Sequence, residues 1–551
     1  MENKKVRTGR DTQEKVIKGV SKAVEAIKST LGPSGKCVAI NLNGFTTEIT
    51  RDGATVVKNI QLKDQEMNMG VDLVKKAALA TEESSGDGTS TTSILIEEFC
   101  KRGQLYIDGG ININEVKSGM IKARNWVEKY IADNAIKVDG DMEKIRKVAT
   151  ISANNDPEVG NLVVEGLTRV GVNGLVTADV ASGIETVIET TTGMKIDRGW
   201  SSPAYITNQE DGTCTLENPY VFIASENISS IKQIMGLLQN FEETNQDGRP
   251  ILFIVDEIDD RVNAMLAFNV ARGAIKCCVV KGIDFGDSRK NLMEDISVAV
   301  GAVHVCSENG VTASQADSSF LGSASKVVIS KDSCVIYEGA GDPGAIKERA
   351  DILRARLDSK DITDYEKTKF EKRLANLTGG IAIIKAGGAS EAEKQNRKQT
   401  IEDSILASKS AIEEGCVPGG GYIYLKASQA VMKDKAFWKS LDGNETEGAD
   451  IVFNSLPIIL KTVADNSKHG GGEFIVERVK VLKPGFGYNA KTGKIGSNLV
   501  EDGVLDSAKV LRVALENSIS AASMILLINC TVTDDITEDS KNSGQPMMPG
   551  M

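Results

Sequence analysis

Apolar residues recur at helical spacing toward both ends of the chain and at strand spacing in its middle. Val16, Val20, Ala23, Val24, Ile27 and Leu31 predict an amphipathic helix over 12–31, stopped by Gly32-Pro33. Cys37–Ile40 and Thr46–Ile49 flank Asn43-Gly44 and predict a hairpin. A second helix is expected over 65–82. A polar, Gly-rich break over Ser84–Thr92 follows, then an apolar helix from Ser93. In the middle, Val187–Thr191, Ile251–Asp256, Cys277–Lys281, Val327–Ile329 and Val335–Tyr337 have strand character. Helical stretches at 229–243, 257–272 and 288–299 lie among them. That alternation points to α/β layers. The charged stretch 345–374 predicts a helical hairpin broken near Asp361. A polar helix over 390–414 leads into Gly419-Gly420-Gly421. Helix returns at 447–466 and 506–530, before a loose tail, Asn542–Met551. One economical reading is a helical domain built from both termini, with an α/β insertion between them.

Composition narrows the function classes. The chain has 551 residues, enough for three or four domains at roughly 100–200 residues each. Its net charge is −12, which argues against duplex DNA or RNA as a main partner. Only His304 and His469 are histidines, too few and too far apart in sequence for a His-rich zinc site. The nine cysteines form no C-x-x-C pair and several sit in apolar runs, so they read as reduced core thiols of a cytoplasmic protein. The longest apolar run, Ser523–Asn529, falls well short of the roughly 20 residues needed to span a bilayer, so no membrane association is expected. Met1–Arg10 is polar and does not read as a secretory signal.

The sharpest chemical segment is Gly86-Asp87-Gly88-Thr89-Ser90-Thr91-Thr92, placed before a helix. Glycines allow several backbone N–H groups to converge on an anion, and the helix N-terminus adds positive potential. Asp87 in that loop suits Mg²⁺, which prefers carboxylate and phosphate oxygens. The same residues also fit an ordinary Ser/Thr capping cluster. Gly35-Lys36 is not a P-loop, because Thr30 and Cys37 occupy the positions that need Gly and Ser or Thr.

Taken in order, several short motifs form a set: Thr30-Leu31-Gly32-Pro33 with Gly35, Arg51-Asp52-Gly53, Asp87-Gly88-Thr89, Ile151-Ser152-Ala153-Asn154, Val280-Lys281 with Phe285-Gly286-Asp287, Glu402-Asp403, Glu413-Glu414-Gly415 through Gly421, Gly487-Tyr488-Asn489-Ala490, and Asp506. With these motifs, from about residue 8 to about 535, the chain closely resembles the group I (GroEL-like) chaperonins. The resemblance implies a multidomain chaperonin fold in three parts. These are a mainly α-helical equatorial domain (1–134 and 415–551, with a tail from about 536), a small α/β intermediate domain (135–192 and 381–414) and an α/β apical domain (193–380).

It further implies an ATP-dependent protein-folding ATPase with Mg²⁺, and with K⁺ as a further candidate ion. Thr30, Leu31, Gly32 and Pro33 match phosphate and ribose contacts. Asp87 matches the metal ligand, and Gly88, Thr89, Ser90 and Thr91 match phosphate contacts. Arg51 and Gly53 flank Asp52, a second acidic residue at the γ-phosphate; Arg51 stands where the family usually has Lys. Gly420, Asn489, Ala490 and Asp506 match further nucleotide contacts. Asp403 matches the carboxylate that positions the attacking water, and it is expected to reach the site when the intermediate domain closes. Gly193, Gly379-Gly380 and Gly415 match hinges.

For non-native clients, the resemblance points to Trp200, Ser202, Ala204, Tyr205, Met235, Leu238, Asn263, Ala267 and Phe268. Ala204 and Asn263 depart from bulkier family residues, so a weaker or altered apolar ring is expected. Ile231, Ile234, Met235, Leu238 and Phe241 form a stripe over 229–241, a pattern that core packing explains equally well. A homo-oligomeric ring, of seven subunits in the family, and a separate co-chaperonin lid are implied. Ile459 and Lys468, followed by Gly470-Gly471-Gly472, lack the charged cross-ring register, so a weakened double ring, or a single ring in some nucleotide states, is expected. Two other classes stay open on the residues alone: a small-molecule kinase using the same phosphate loop, and a scaffold with a relic nucleotide site.

Overall fold

The computed structural model describes residues 4–534, apart from 43–45, 139, 172–173, 210, 246, 284–285, 307–309 and 358–363. The Asn43-Gly44 turn, Phe285, the break near Asp361 and the tail from about 536 lie outside the described residues. The chain divides into two compact units, one holding residues up to Val164 and from Gln399 on, the other Glu165–Lys398.

The first unit is mainly helical. Arg10–Lys28 buries Val16, Val20, Ala23, Val24 and Ile27, the spacing the sequence predicts. Val16, Val20, Val24 and Ile27 pack with residues of Gln65–Ser85, Thr89–Asp108, Ile113–Asp133 and Ala508–Leu526 in one core that includes Phe99, Met120, Leu515 and Ile519. The segments nearest the two ends, Lys4–Thr8 and Cys530–Asp534, pair antiparallel with Val6 opposite Val532. Val38–Leu42 and Thr46–Thr50 pair as the expected hairpin. Several boundaries differ from expectation: the first helix ends at Lys28, short of Leu31, and the last at Leu526, with Cys530 already in a strand. The break after the second helix shrinks to residues 86–88, because Ser84 and Ser85 complete one helix while Thr89–Thr92 begin the next. The helix expected over 447–466 is two, Glu445–Ser455 and Ile458–Ser467. Pro457 between them has no N–H to offer, and its ring crowds the preceding turn.

The second unit is built on a ten-stranded mixed sheet. The strands Tyr220–Ile228, Ile251–Ile258 and Cys277–Lys281 pair in parallel and are almost wholly buried where they read as continuous apolar runs. The helices Lys232–Thr244 and Asp260–Ala271 follow the first and second of these strands. Antiparallel partners, among them Gly322–Ile329, Cys334–Gly339, Val187–Ile196 and Gly380–Ala386, extend the sheet. The charged stretch forms two helices, Pro343–Leu357 and Asp364–Thr378. Arg349 and Arg373 both reach Asp295, which is 1% exposed, at 2.7 Å. This shared carboxylate ties the helical pair to the helix Gly286–Val300. Of the nine free cysteines, Cys37 and Cys530 are exposed and the other seven are buried, so the core reading holds for seven.

Candidate functional site: a carboxylate-lined cleft

Three separate segments of the first unit meet around the Gly86–Thr91 turn. Gly86 ends one helix at φ +75° and Gly88 opens the next at φ +96°, conformations that cost glycine little. Asp87 stands exposed between them. Its Oδ1 accepts the Gly88 N–H at 2.5 Å, and Ser85 Oγ donates to its carbonyl at 3.1 Å. No side chain caps the helix that starts at Thr89, so its first N–H groups are left for another acceptor.

The second segment is the Arg51-Asp52-Gly53 turn. Asp52 caps the short helix Gly53–Asn59, accepting from the Ala54 N–H at 3.2 Å and the Thr55 N–H at 2.6 Å. A Cβ on Gly53 would lie 2.3 Å from Ser90 Oγ, so glycine is what lets this turn approach the Asp87 loop. Arg51 Nη2 lies 3.4 Å from the carbonyls of Gly32 and Pro33, while its Nε is buried with no partner among the described residues. Beside it, the Thr30–Pro33 turn is held by Asn466, whose Nδ2 donates to the carbonyls of Lys28 and Leu31 at 2.8 Å each. Thr30 is buried and spends its hydroxyl on the Ile27 carbonyl at 2.9 Å. Asn466 belongs to no motif that the sequence singled out.

The third segment is the later half of the helix Glu391–Glu414. Ser410 Oγ donates to the Ser85 carbonyl at 3.0 Å, and Ser404 Oγ to the Ala149 carbonyl at 2.9 Å. A Cβ on Gly86 would fall 2.0 Å from Leu406 Cβ, so helix and loop touch at the glycine. This packing already brings Asp403 to the site, where the sequence reading expected it to arrive on closure. Burial first, then the carboxylates of Asp52, Asp87, Glu82 and Glu402, push Asp403 well above the usual carboxylate range. No hydrogen bond or ion pair occupies its carboxyl among the described residues.

Other acids feel the same cleft. Crowding by protein atoms raises Asp87, with the Gly88 N–H opposing, although its carboxyl remains open to water. Desolvation raises Glu82, despite Lys58 at 3.7 Å. Asp506 is pushed up to about 6 by burial and by Asp87, while accepting the Gly420 N–H at 3.0 Å. Gly420 has φ +64° and sits in the turn after Cys416–Pro418, whose Val417 pairs with Asp506. Asn489 is buried and turned inward: its side chain accepts from the Lys491 and Thr492 N–H groups and donates to Asp502 at 3.3 Å. Ala490 is buried as well.

These residues fit a nucleotide with its cation. Among the described residues no three His, Cys, Asp or Glu side chains are placed to hold a metal by themselves. Asp87 would thus hold Mg²⁺ together with phosphate oxygens. The orphaned Arg51 Nε and the uncapped helix start supply donors, and the raised carboxyls mark a negative field that a cation relieves.

The residues matched to client capture separate in the second unit. Phe268 and Met235 are 57% and 40% exposed, and Met265, which the sequence reading passed over, is 46% exposed. Leu238 and Trp200 are half-buried, Trp200 with its indole N–H on the Gly212 carbonyl at 3.1 Å. Tyr205 and Ala267 are corrections: both are buried. Tyr205 donates to Asn263 Oδ1 at 2.8 Å, so the polar Asn263 answers to a buried hydroxyl inside the core and offers no exposed surface. The stripe on Lys232–Thr244 divides too, with Ile234 and Phe241 in the core and Met235 outside. Ile459 is buried in the first unit's core, and Lys468 closes its helix at φ +58°.

One further polar cavity, of about 510 Å³, is lined by Ser225, Glu226, Asn227, Gln233, Thr312 and Ser314. Ser225 Oγ lies 2.5 Å from His304 Nε2, but the nearby Ala313 N–H is spent on Glu226.

Two solved structures of the chaperonin gp146 from the bacteriophage EL 2 (Pseudomonas aeruginosa), both in the presence of ATP-BeFx, are similar to this chain. Crystal form II matches with a TM-score of 0.72 at 20% identity, covering 95% of this chain and 98% of that one. Crystal form I matches with a TM-score of 0.64 at 21% identity, covering 96% and 99%. At this identity the likeness establishes the fold, the GroEL-like multidomain chaperonin fold. No helix among the described residues is long and apolar enough to cross a membrane. The model of the TCP-1/cpn60 chaperonin family matches residues 24–535, nearly the whole chain, and the protein belongs to that family.

Proposed function

We propose that this chaperonin hydrolyses ATP in the cleft of Asp52, Asp87 and Asp403, and uses the cycle to capture non-native proteins and fold them in a ring chamber. The observation that carries the reading is the convergence of those three carboxylates, from three separated segments, on one Gly-rich turn at a helix start. The gp146 structures were determined in the presence of ATP-BeFx, which supports the reading.

Mg²⁺ neutralises charge developing on the phosphates when bound, with K⁺ a candidate second ion. Asp87 holds the cation, and the N–H groups of Gly88 through Thr91, with their hydroxyls, cradle phosphate. Thr30, Leu31, Gly32, Pro33 and Gly53 shape the wall around it. Arg51 donates its orphaned Nε to phosphate. Asp403, uncommitted and raised, accepts a proton from the attacking water or orients it. Asp52, fixed by its own turn, stands at the γ-phosphate end. Gly420 and Asp506 line the nucleoside side, while Asn489 and Ala490 support it from behind.

Met235, Met265 and Phe268 provide the exposed apolar contacts for clients, with Trp200 and Leu238 partly accessible beside them. The division into equatorial, intermediate and apical domains, a seven-membered ring with a weakened ring–ring contact, a separate co-chaperonin lid and a cytoplasmic location belong to the same proposal. Purified protein should turn over ATP with Mg²⁺ and respond to an unfolded protein. Stimulation by one metabolite instead would favour a small-molecule kinase. Cryo-EM with and without ATP counts subunits and rings.

A further inference from the structure

We propose that Gln399 is a positioning residue of the nucleotide cleft: its amide clamps the Asp403-bearing helix to the Asp52 turn. The inference rests on the ATPase reading above and adds a residue that no motif contains. Gln399 Nε2 lies 3.1 Å from Asp52 Oδ2 and 3.4 Å from Thr55 Oγ1. Gln399 and Asp403 are four residues apart on one helix, so they share a face.

The chemistry of the neighbourhood explains why a neutral donor is needed. Asp403 is surrounded by Asp52, Asp87, Glu82 and Glu402, whose like charges oppose bringing the helix onto the turn. Asp52 already accepts two backbone N–H groups from its own helix, and the Gln399 amide adds a donor from the opposite segment. A glutamate there would add repulsion. A lysine would set a fixed positive charge against Asp52. A glutamine ties the two segments together without adding a charge of either sign.

The helix has other anchors, Ser404 on Ala149 and Ser410 on Ser85, so changing Gln399 leaves its packing intact. The test uses the full chain with Mg²⁺ and ATP, comparing Gln399→Met and Gln399→Glu with the unaltered protein. Met keeps the side-chain bulk and removes the donor, so a purely packing role would leave it near wild type. We expect kcat to fall roughly tenfold in Gln399→Met, the loss of one hydrogen bond to a carboxylate, and further in Gln399→Glu. KM for ATP and the melting temperature should stay close to those of the unaltered chain. Wild-type kcat in both variants, or a change confined to KM, overturns the proposal. Asp403→Ala runs alongside. Turnover that Asp403→Ala leaves untouched counts against the nucleotide-site reading and this one together. Loss in Asp403→Ala with wild-type kcat in both Gln399 variants overturns this one alone.

Discussion

The carboxylate cleft of the first unit and the apolar face of the second unit both begin as short sequence patterns, and the fold treats them differently. In the cleft, Asp52 and Asp87 lie close enough to Asp403 for their charges to act on it. On the apolar face, the residues matched to client capture divide between core and surface, with Tyr205 and Ala267 inside and Met235 and Phe268 outside. The cleft depends on local backbone devices: an N-cap, two left-handed glycines and a close approach at Gly53. Residue identity encodes these directly. Whether an apolar side chain is bare depends on what lies opposite, which no local pattern states.

The sharpest break in this comparison is at Asp403. Asp403→Ala should lower ATP hydrolysis by about 10²-fold or more while retaining nucleotide binding, measured as single-turnover hydrolysis beside ATP titration. Near-normal turnover would remove its assigned role. Next comes the backbone. Gly86→Ala would place a Cβ against Leu406 at a φ of +75° and should cost about 2–4 kcal/mol, read from denaturant unfolding. An unchanged midpoint would mean that the helix does not rest on the loop. On the apolar face, Phe268→Ser should weaken capture of an unfolded protein by about tenfold, the worth of one apolar side chain, without lowering the melting temperature.

Asp506 tests the electrostatics of the cleft. Its folded-state pKa, about 6, lies above the ordinary value of 3.8, so the folded chain holds the extra proton between those pH values. Its contribution to stability therefore falls as pH rises from about 4 to 6 and stays unfavourable above that. Asp506→Asn, which keeps an acceptor for Gly420, should stabilise the chain at pH 7.5 by about 1–2 kcal/mol, allowing for water in the cleft. The gain should vanish toward pH 4, as thermal melts across pH would show. The smallest effect is expected at Tyr205. Tyr205→Phe removes a buried hydrogen bond to Asn263 and should cost about 1 kcal/mol with client capture unchanged. Lost capture at unchanged stability would return Tyr205 to the client surface.

The elements themselves were largely legible. The periodicity of Val16 through Ile27 carries enough information alone, because helix spacing is a local property, although the helix already ends at Lys28, ahead of Gly32-Pro33. The buried strand Tyr220–Ile228 was not read, since a short apolar run without alternation does not distinguish strand from helix. Asn466, Gln399 and Met265 were also missed. Asn466 and Gln399 act on turns more than three hundred residues away, and Met265 shares its helix with the buried Leu266 and Ala267.

What the sequence by itself determined is the chemistry on offer: the order of the motifs, the glycines that permit their turns, and a carboxylate set with almost no histidine. Those follow from residue type and short-range spacing. Only the tertiary structure decided which carboxylates face each other, which apolar residues remain exposed, and that Gln399 reaches Asp52. Each of these depends on contacts between segments far apart in the chain, where packing and desolvation set both the distances and the charge states.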